Sequence, residues 1–153
     1  MVSTLNKSFS ALSTPELYQI YRARTDVFVV EQNCAYPEVD DIDLTAQHLF
    51  EQAADGHLET YCRIYAGAQG AVWHIGRVLV AQQDRGRGLA RQVLTTALTW
   101  LSEQTTATTV EVEAQVYLTA FYASLGFKAE GDAFDDFGIM HQKMTLQLVA
   151  NGQ

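Results

Sequence analysis

The chain has 153 residues, is 48% hydrophobic and carries a formal charge of −8, with ten lysines and arginines against eighteen aspartates and glutamates. That size and apolar content suit one domain with its own core, over residues 1–153; no apolar run approaches the ~18 residues of a membrane span and no charged-then-apolar leader opens the chain, so a cytoplasmic protein without a membrane partner is expected. The acidic balance disfavours nucleic acid as a partner and favours a cationic co-substrate such as an amine.

Ser13-Thr14-Pro15-Glu16 offers a capping box and an early-turn proline, and Leu17, Ile20, Tyr21, Arg24 and Phe28 follow at helical spacing. This predicts a helix running to about Val30 or Gln32, broken at Tyr36-Pro37 and followed by an acidic loop, Glu38 to Asp43. His48 to Ala53 and Leu58 to Ala66 read as strands joined through Asp55-Gly56, a hairpin signal, and Val72 to Val80 as a third. A helix from about Gly88 to Gln104 comes next, then a strand at 108–115 in which Val110 and Val112 alternate with Glu111 and Glu113. A short helix from Tyr117 to Leu125 stops at Gly126, and strands are expected at Phe127 to Gly131 and Ile139 to Val149. The order gives an α/β fold with a mixed sheet.

The sharpest local signal lies between the third strand and the long helix. Val78, Leu79 and Val80 lead through Gln82-Gln83-Asp84 into Arg85-Gly86-Arg87-Gly88, and Leu89, Ala90, Val93, Leu94, Ala97, Leu98 and Leu101 follow at helical spacing. Unpaired amides at a helix start carry partial positive charge and suit phosphate oxygens, while glycines let a ligand approach the backbone. Arg85, Arg87 and Arg91 cluster there in an otherwise acidic chain. A nucleotide-triphosphate loop would need Gly-Lys-Ser/Thr where Leu89 and Ala90 follow Gly88, and a dinucleotide fingerprint would need glycine or alanine at Arg91. A pyrophosphate cradle of another kind is expected, with a plain strand-to-helix turn as the simpler alternative.

With Gln83-x-x-Gly86-x-Gly88, the loop resembles the signature of the GNAT superfamily of acyl-CoA-dependent N-acyltransferases, whose loop amides hold the coenzyme A pyrophosphate. Phe121-Tyr122 to Gly126-Phe127 resembles the second motif of that superfamily, in which the tyrosine sits beside the coenzyme sulfur. The stretch from Arg24 to Tyr36, the acidic loop, His48, Gly76-Arg77-Val78 and Glu113-Ala114-Gln115 resemble the ElaA-like subgroup. Ala35 and Asp41 stand where the subgroup often has proline and glycine, and Gln115 where the superfamily often has asparagine.

The resemblance implies a GNAT (acyl-CoA N-acyltransferase) fold, a mixed central sheet with splayed parallel strands and flanking helices. It implies acetyl-CoA as acyl donor without a metal, and a small-molecule or peptide amine as acceptor. Gly86, Gly88, Leu89 and Ala90 would hold the pyrophosphate with help from Arg85, Arg87 or Arg91, and the main chain of Val78, Leu79 and Val80 the pantetheine arm. Tyr122 would meet the leaving thiolate as general acid. Phe28, Glu31, Gln32, Tyr36, His48, Arg77 and Gln115 would line the acceptor side.

Glu31, Asp43, His48 and Glu113 are candidates for the base, with Glu113 or Glu31 preferred; pairing with Arg24, Arg63 or Arg77 would make Glu31 structural. Cys34 and Cys62 are expected as reduced thiols, with acyl transfer through Cys34 as a rival route. The four histidines show no zinc-ligand spacing. A non-catalytic acyl-CoA sensor is a third reading, and a homodimer is compatible with the composition.

Overall fold

A computed structural model describes residues 4–148. Its eight strands form one sheet in the order β1-β2-β3-β4-β5-β8-β6, with β7 pairing β8. The strands are β1 Leu5–Ser8, β2 Gln47–Gln52, β3 Leu58–Ala66, β4 Val72–Val80, β5 Thr109–Gln115, β6 Lys128–Ala129, β7 Phe134–Asp136 and β8 Ile139–Gln147. All neighbours are antiparallel except β4 and β5. The expected third and second strands begin and end at the predicted residues. Val149, predicted as strand, lies outside the described residues.

Helix α1, Thr14–Arg24, starts as expected: Ser13 Oγ accepts from the Glu16 amide at 3.1 Å and Glu16 Oε1 from the Ser13 amide at 2.8 Å. It does not run on as α-helix. Thr25–Glu31 is wound as a π-helix, where Thr25, Val27, Val29 and Val30 supply the β-branched crowding that an α-turn tolerates least. The wider turn buries Val27 and brings Phe28, Glu31 and Gln32 to the edge of a cleft, a placement typical of π-segments at functional sites.

Each face of the sheet has a core. Val93, Leu94, Ala97 and Leu101 of α2 (Leu89–Gln104), with Tyr122 of the short helix α3 (Thr119–Ser124), pack on Cys62, Ile64, Ile75, Val110 and Val112. On the opposite face Ile20 of α1 and Val27 meet Phe50, Leu58, Tyr61 and Leu79. A fully buried leucine or valine is worth about 1.5–3 kcal/mol, so α2 is held by its inward stripe.

The strands that matter for function are the parallel pair. β4 and β5 share register only from Val72↔Thr109 to His74↔Glu111. Beyond that point β4 carries one extra residue relative to β3, since Tyr61 faces Leu79 while Arg63 faces Gly76, and Arg77 adopts φ +52°. Such a bulge bends a strand and re-aims its edge. Here it parts β4 from β5, leaving the backbone from Ile75 to Val80 along one wall of an open wedge.

Candidate functional site

The glycine loop leaves the far end of β4. A single 3-10 turn, Gln82–Asp84, leads to Arg85, and Gly86 and Gly88 take φ +85° and +74°, where glycine avoids the steric cost of a Cβ. Gly88 is the N-cap of α2 and has no side-chain cap; the first helical bond is from the Gln92 amide to the Gly88 carbonyl, at 3.1 Å. The amides of Gly88, Leu89, Ala90 and Arg91 therefore have no intrahelical acceptor, and a Cβ built on Gly86 or Gly88 would meet nothing within 4 Å. Open space over aligned donors fits a phosphate group.

Buried Asp84 pins this loop. Its Oδ2 accepts from His57 Nε2 at 2.8 Å and its Oδ1 from Arg87 Nη1 at 3.1 Å, while His57 Nδ1 donates to Asp55 at 2.5 Å. The bonds to Asp84 first and Asp55 second raise the His57 pKa, against some loss of solvent.

The loop arginines differ in what they have left to offer. Arg85 grips both oxygens of Glu31 at 2.8 and 2.9 Å and donates to the Val80 carbonyl. Arg87 donates to Glu59 at 2.7 Å as well as to Asp84. Arg91 donates to Ser124 Oγ at 2.7 Å and lies over the Phe121 ring, with no carboxylate partner among the described residues. Only the third keeps its charge uncompensated. Glu31, preferred with Glu113 as a base from the sequence, has both oxygens taken up by Arg85 and meets none of Arg24, Arg63 and Arg77.

The wedge between β4 and β5 is a cleft of about 420 Å³. Val78, Leu79, Val80, Arg85 and Ala90 line it toward the loop, and Glu113, Gln115 and Tyr122 line it from β5 and α3. Tyr122 is 5% exposed, its ring edge-on to Phe121 and Phe127. Its hydroxyl has no hydrogen-bond partner among the described residues. Burial raises its pKa, which keeps it a phenol and a proton donor at neutral pH. Glu113 is exposed at the cleft, with no hydrogen bond or ion pair among the described residues.

A smaller recess of about 90 Å³ opens beside the cleft. Phe28, Gln32, Arg77 and Gln115 border both spaces, and Cys34, Tyr36, Phe137 and His141 close the recess. Tyr36 lies between the Arg77 guanidinium, 5.4 Å from its ring, and Phe137, at 5.4 Å between centroids, and its hydroxyl donates to Glu38. Burial, then the bond to Glu38, raises its pKa. Phe137 sits at φ +51° with Gly138 at +86°, a two-residue turn between β7 and β8.

The acidic loop does not face solvent as a free anion patch. Glu38 and Asp43 are 7% and 1% exposed. Glu38 Oε2 accepts from Arg24 Nε at 2.6 Å and Arg77 Nε at 2.8 Å; Asp43 Oδ1 accepts from Arg24 at 2.7 Å and Arg63 at 3.0 Å; Asp40 accepts from Arg63 at 2.6 Å. Burial alone would raise the Asp43 pKa, but Arg24 and Arg63 hold it below the usual range.

His48, expected on the acceptor side and as a candidate base, is fully buried on β2 and reaches neither space. Its Nε2–H donates to the Asp43 carbonyl at 2.9 Å and its Nδ1 accepts from Tyr61 at 2.6 Å; burial first of all lowers its pKa. His48 and Asp43 are thus parts of the packing under the cleft. Both cysteines are free: Cys62 is sealed in the core and Cys34 Sγ lies 3.5 Å from the Phe137 carbonyl, with no basic side chain bonded to it.

Residues 26–148 match the family described as the acetyltransferase (GNAT) domain. A UPF0039 protein of Schizosaccharomyces pombe is 44% identical over 143 residues, covering 93% of this chain and 95% of the relative. The crystal structure of an acyl-CoA N-acyltransferase from Pseudomonas aeruginosa superposes with a TM-score of 0.89 at 34% identity, over 95% of this chain and 99% of that one. The crystal structure of Escherichia coli ElaA superposes with a TM-score of 0.88 at 32% identity, over the same shares of the two chains.

Proposed function

The chain belongs to the GNAT acetyltransferase family, in its ElaA-like subgroup, and from that premise we propose that it moves an acetyl group from acetyl-CoA to a primary amine by direct attack in a ternary complex. The carrying observation is the wedge between β4 and β5, which opens between the uncapped start of α2 and the Tyr122 hydroxyl. A diphosphate suits the amides of Gly88 to Arg91, with Arg91 as the uncompensated cation. The freed β4 edge at Val78 to Val80 offers main-chain groups to an extended amide-bearing arm, as an added strand would take them. When bound, the carrier supplies an activated thioester carbonyl.

Every other task falls to side chains of this protein. Tyr122, kept protonated by burial, donates to the departing sulfur. Glu113 stands exposed on the β5 wall, where its negative charge draws a protonated amine toward the cleft. Phe28, Gln32, Tyr36 and Arg77 shape the entry on the other side. The acceptor is a small molecule or an exposed peptide amine.

Coenzyme A release from acetyl-CoA, measured across a panel of primary amines, tests this reading. Steady release above the rate without amine is expected, with Tyr122→Phe lowering turnover about 10²-fold or more while coenzyme affinity stays within twofold. Tight binding with no release from any amine would instead describe a sensor. The Cys34→Ala protein is expected to retain full turnover; its loss would point to an acyl-cysteine route.

A further inference from the structure

We infer that His141 is the base that takes the proton from the acceptor nitrogen, and that the recess it borders holds the acceptor. This rests on the acyltransferase reading above. Strand β8 places His141 opposite Gln115 of β5 and Phe134 of β7, and its ring stacks on Phe134 at 5.9 Å. Its Nδ1 lies 2.8 Å from the Ile139 carbonyl, which can only accept. Nδ1 therefore carries the proton, and Nε2 of the neutral ring is left with its lone pair. Nε2 has no protein partner among the described residues and is not sealed away, and His141 lines the recess that Gln115, Arg77 and Phe28 join to the cleft. A fixed tautomer, a free lone pair and a bordering cavity are what a base requires.

The charges around it suit the task. Glu113 and Lys143 lie two residues from this pair on β5 and β8, and Lys143 Nζ is taken up by Glu111 and Glu130. Asp136 of β7 borders the recess, as do Cys34 and Tyr36. Arg77 is the facing cation, and Glu38 and Asp40 neutralise it. Glu113 lines the cleft but does not border the recess.

The ammonium first gives one proton to His141 Nε2, which passes it to solvent; as the freed lone pair forms the C–N bond to the thioester carbonyl carbon, the nitrogen sheds its second proton to Nε2. The C–S bond breaks with its electron pair on sulfur, which takes the Tyr122 proton. Solvent then removes one proton from His141 and returns one to Tyr122, so amine plus thioester become amide plus thiol.

The test compares wild type with His141→Gln in acetyl-CoA turnover, with each amine of the panel and with water alone, from pH 5 to 9. Coenzyme A calorimetry on both proteins runs alongside. We expect His141→Gln to release coenzyme A about 10²-fold more slowly at pH 7 and to lose the acid limb of the kcat/KM profile, with coenzyme affinity within twofold of wild type. Equal release by the two proteins, or an acid limb that survives the substitution, overturns the assignment and leaves the acyltransferase reading standing. A wild-type protein that binds no coenzyme A overturns both. Should the variant not fold, nitrogen-15 NMR of the wild-type histidines decides. An Nδ1–H tautomer of the neutral His141 ring supports the assignment, and an Nε2–H tautomer contradicts it.

Discussion

Two sets of three arginines divide the molecule. Arg24, Arg63 and Arg77 lie among Glu38, Asp40 and Asp43, with the first two at 0% and 3% exposure. Arg85, Arg87 and Arg91 stand at the glycine loop in contact with solvent. In the first set every guanidinium is matched by carboxylates, so its charge is spent on holding the segment from Tyr36 to Leu44 against the sheet. In the second set the pairing is uneven, and one cation is left over. Residue type is the same in both; burial and partners decide which set is framework and which is available to a ligand.

Breaking the buried set should have the largest effect. Arg24→Ala leaves Glu38 to Arg77 alone and Asp43 to Arg63 alone, each short of one buried charge partner, and a loss of about 3–5 kcal/mol in urea unfolding is expected. A loss under about 1 kcal/mol would mean that the network is not coupled to folding. In the exposed set, Arg91→Ala should lower coenzyme A affinity about tenfold or more, the scale of one charged hydrogen bond, with the unfolding midpoint unchanged. Arg87→Ala, whose cation already serves Glu59 and Asp84, should lower it less than about threefold. If the two arginines prove equal in calorimetry, uneven pairing does not govern the site.

The halves also answer pH in opposite senses. Asp40 and Asp43 have pKa values lowered by their arginines, against burial, so their contribution is present above the unfolded value of about 4 and is lost as pH falls through the folded one. Buried His48, with its pKa lowered, adds to the acid sensitivity from about pH 6.5 downward. His57 is raised, so its bond to Asp84 stabilises the loop fully below about pH 6.5, and that stability fades as pH rises through its folded value. Thermal unfolding from pH 4 to 9 should therefore fall off steeply on the acid side and gently on the alkaline side. His57→Gln should remove only the alkaline fall.

The exposed set was the more legible half in the sequence. Its signal is local: an apolar strand, two glycines and an apolar helical stripe are contiguous, so propensity and spacing carry it. The capping box at Ser13 and Glu16 and the turn at Asp55-Gly56 were readable for the same reason. The buried set was not, because Arg77 meets Glu38 across thirty-nine residues and nothing in a run of acids says that it will be covered. His48 was misplaced on the same ground. Strand β1, four largely polar residues at a sheet edge, carries no alternation to detect, and the π-winding after Arg24 keeps the residues an α-helix would have. His141 was missed because its value comes from the turn at Phe137-Gly138 and the carbonyl of Ile139. A histidine three residues past a two-residue hairpin turn is the signal that could have found it.

Calorimetry with coenzyme A and with pantetheine, the same arm without the diphosphate, tests most directly whether the open amides at the start of α2 are the anchor. Coenzyme A is expected to bind, and pantetheine to bind at least about a hundredfold more weakly, the scale of two charge-assisted hydrogen bonds. Equal affinity for the two, or no heat with coenzyme A on folded protein, would contradict it.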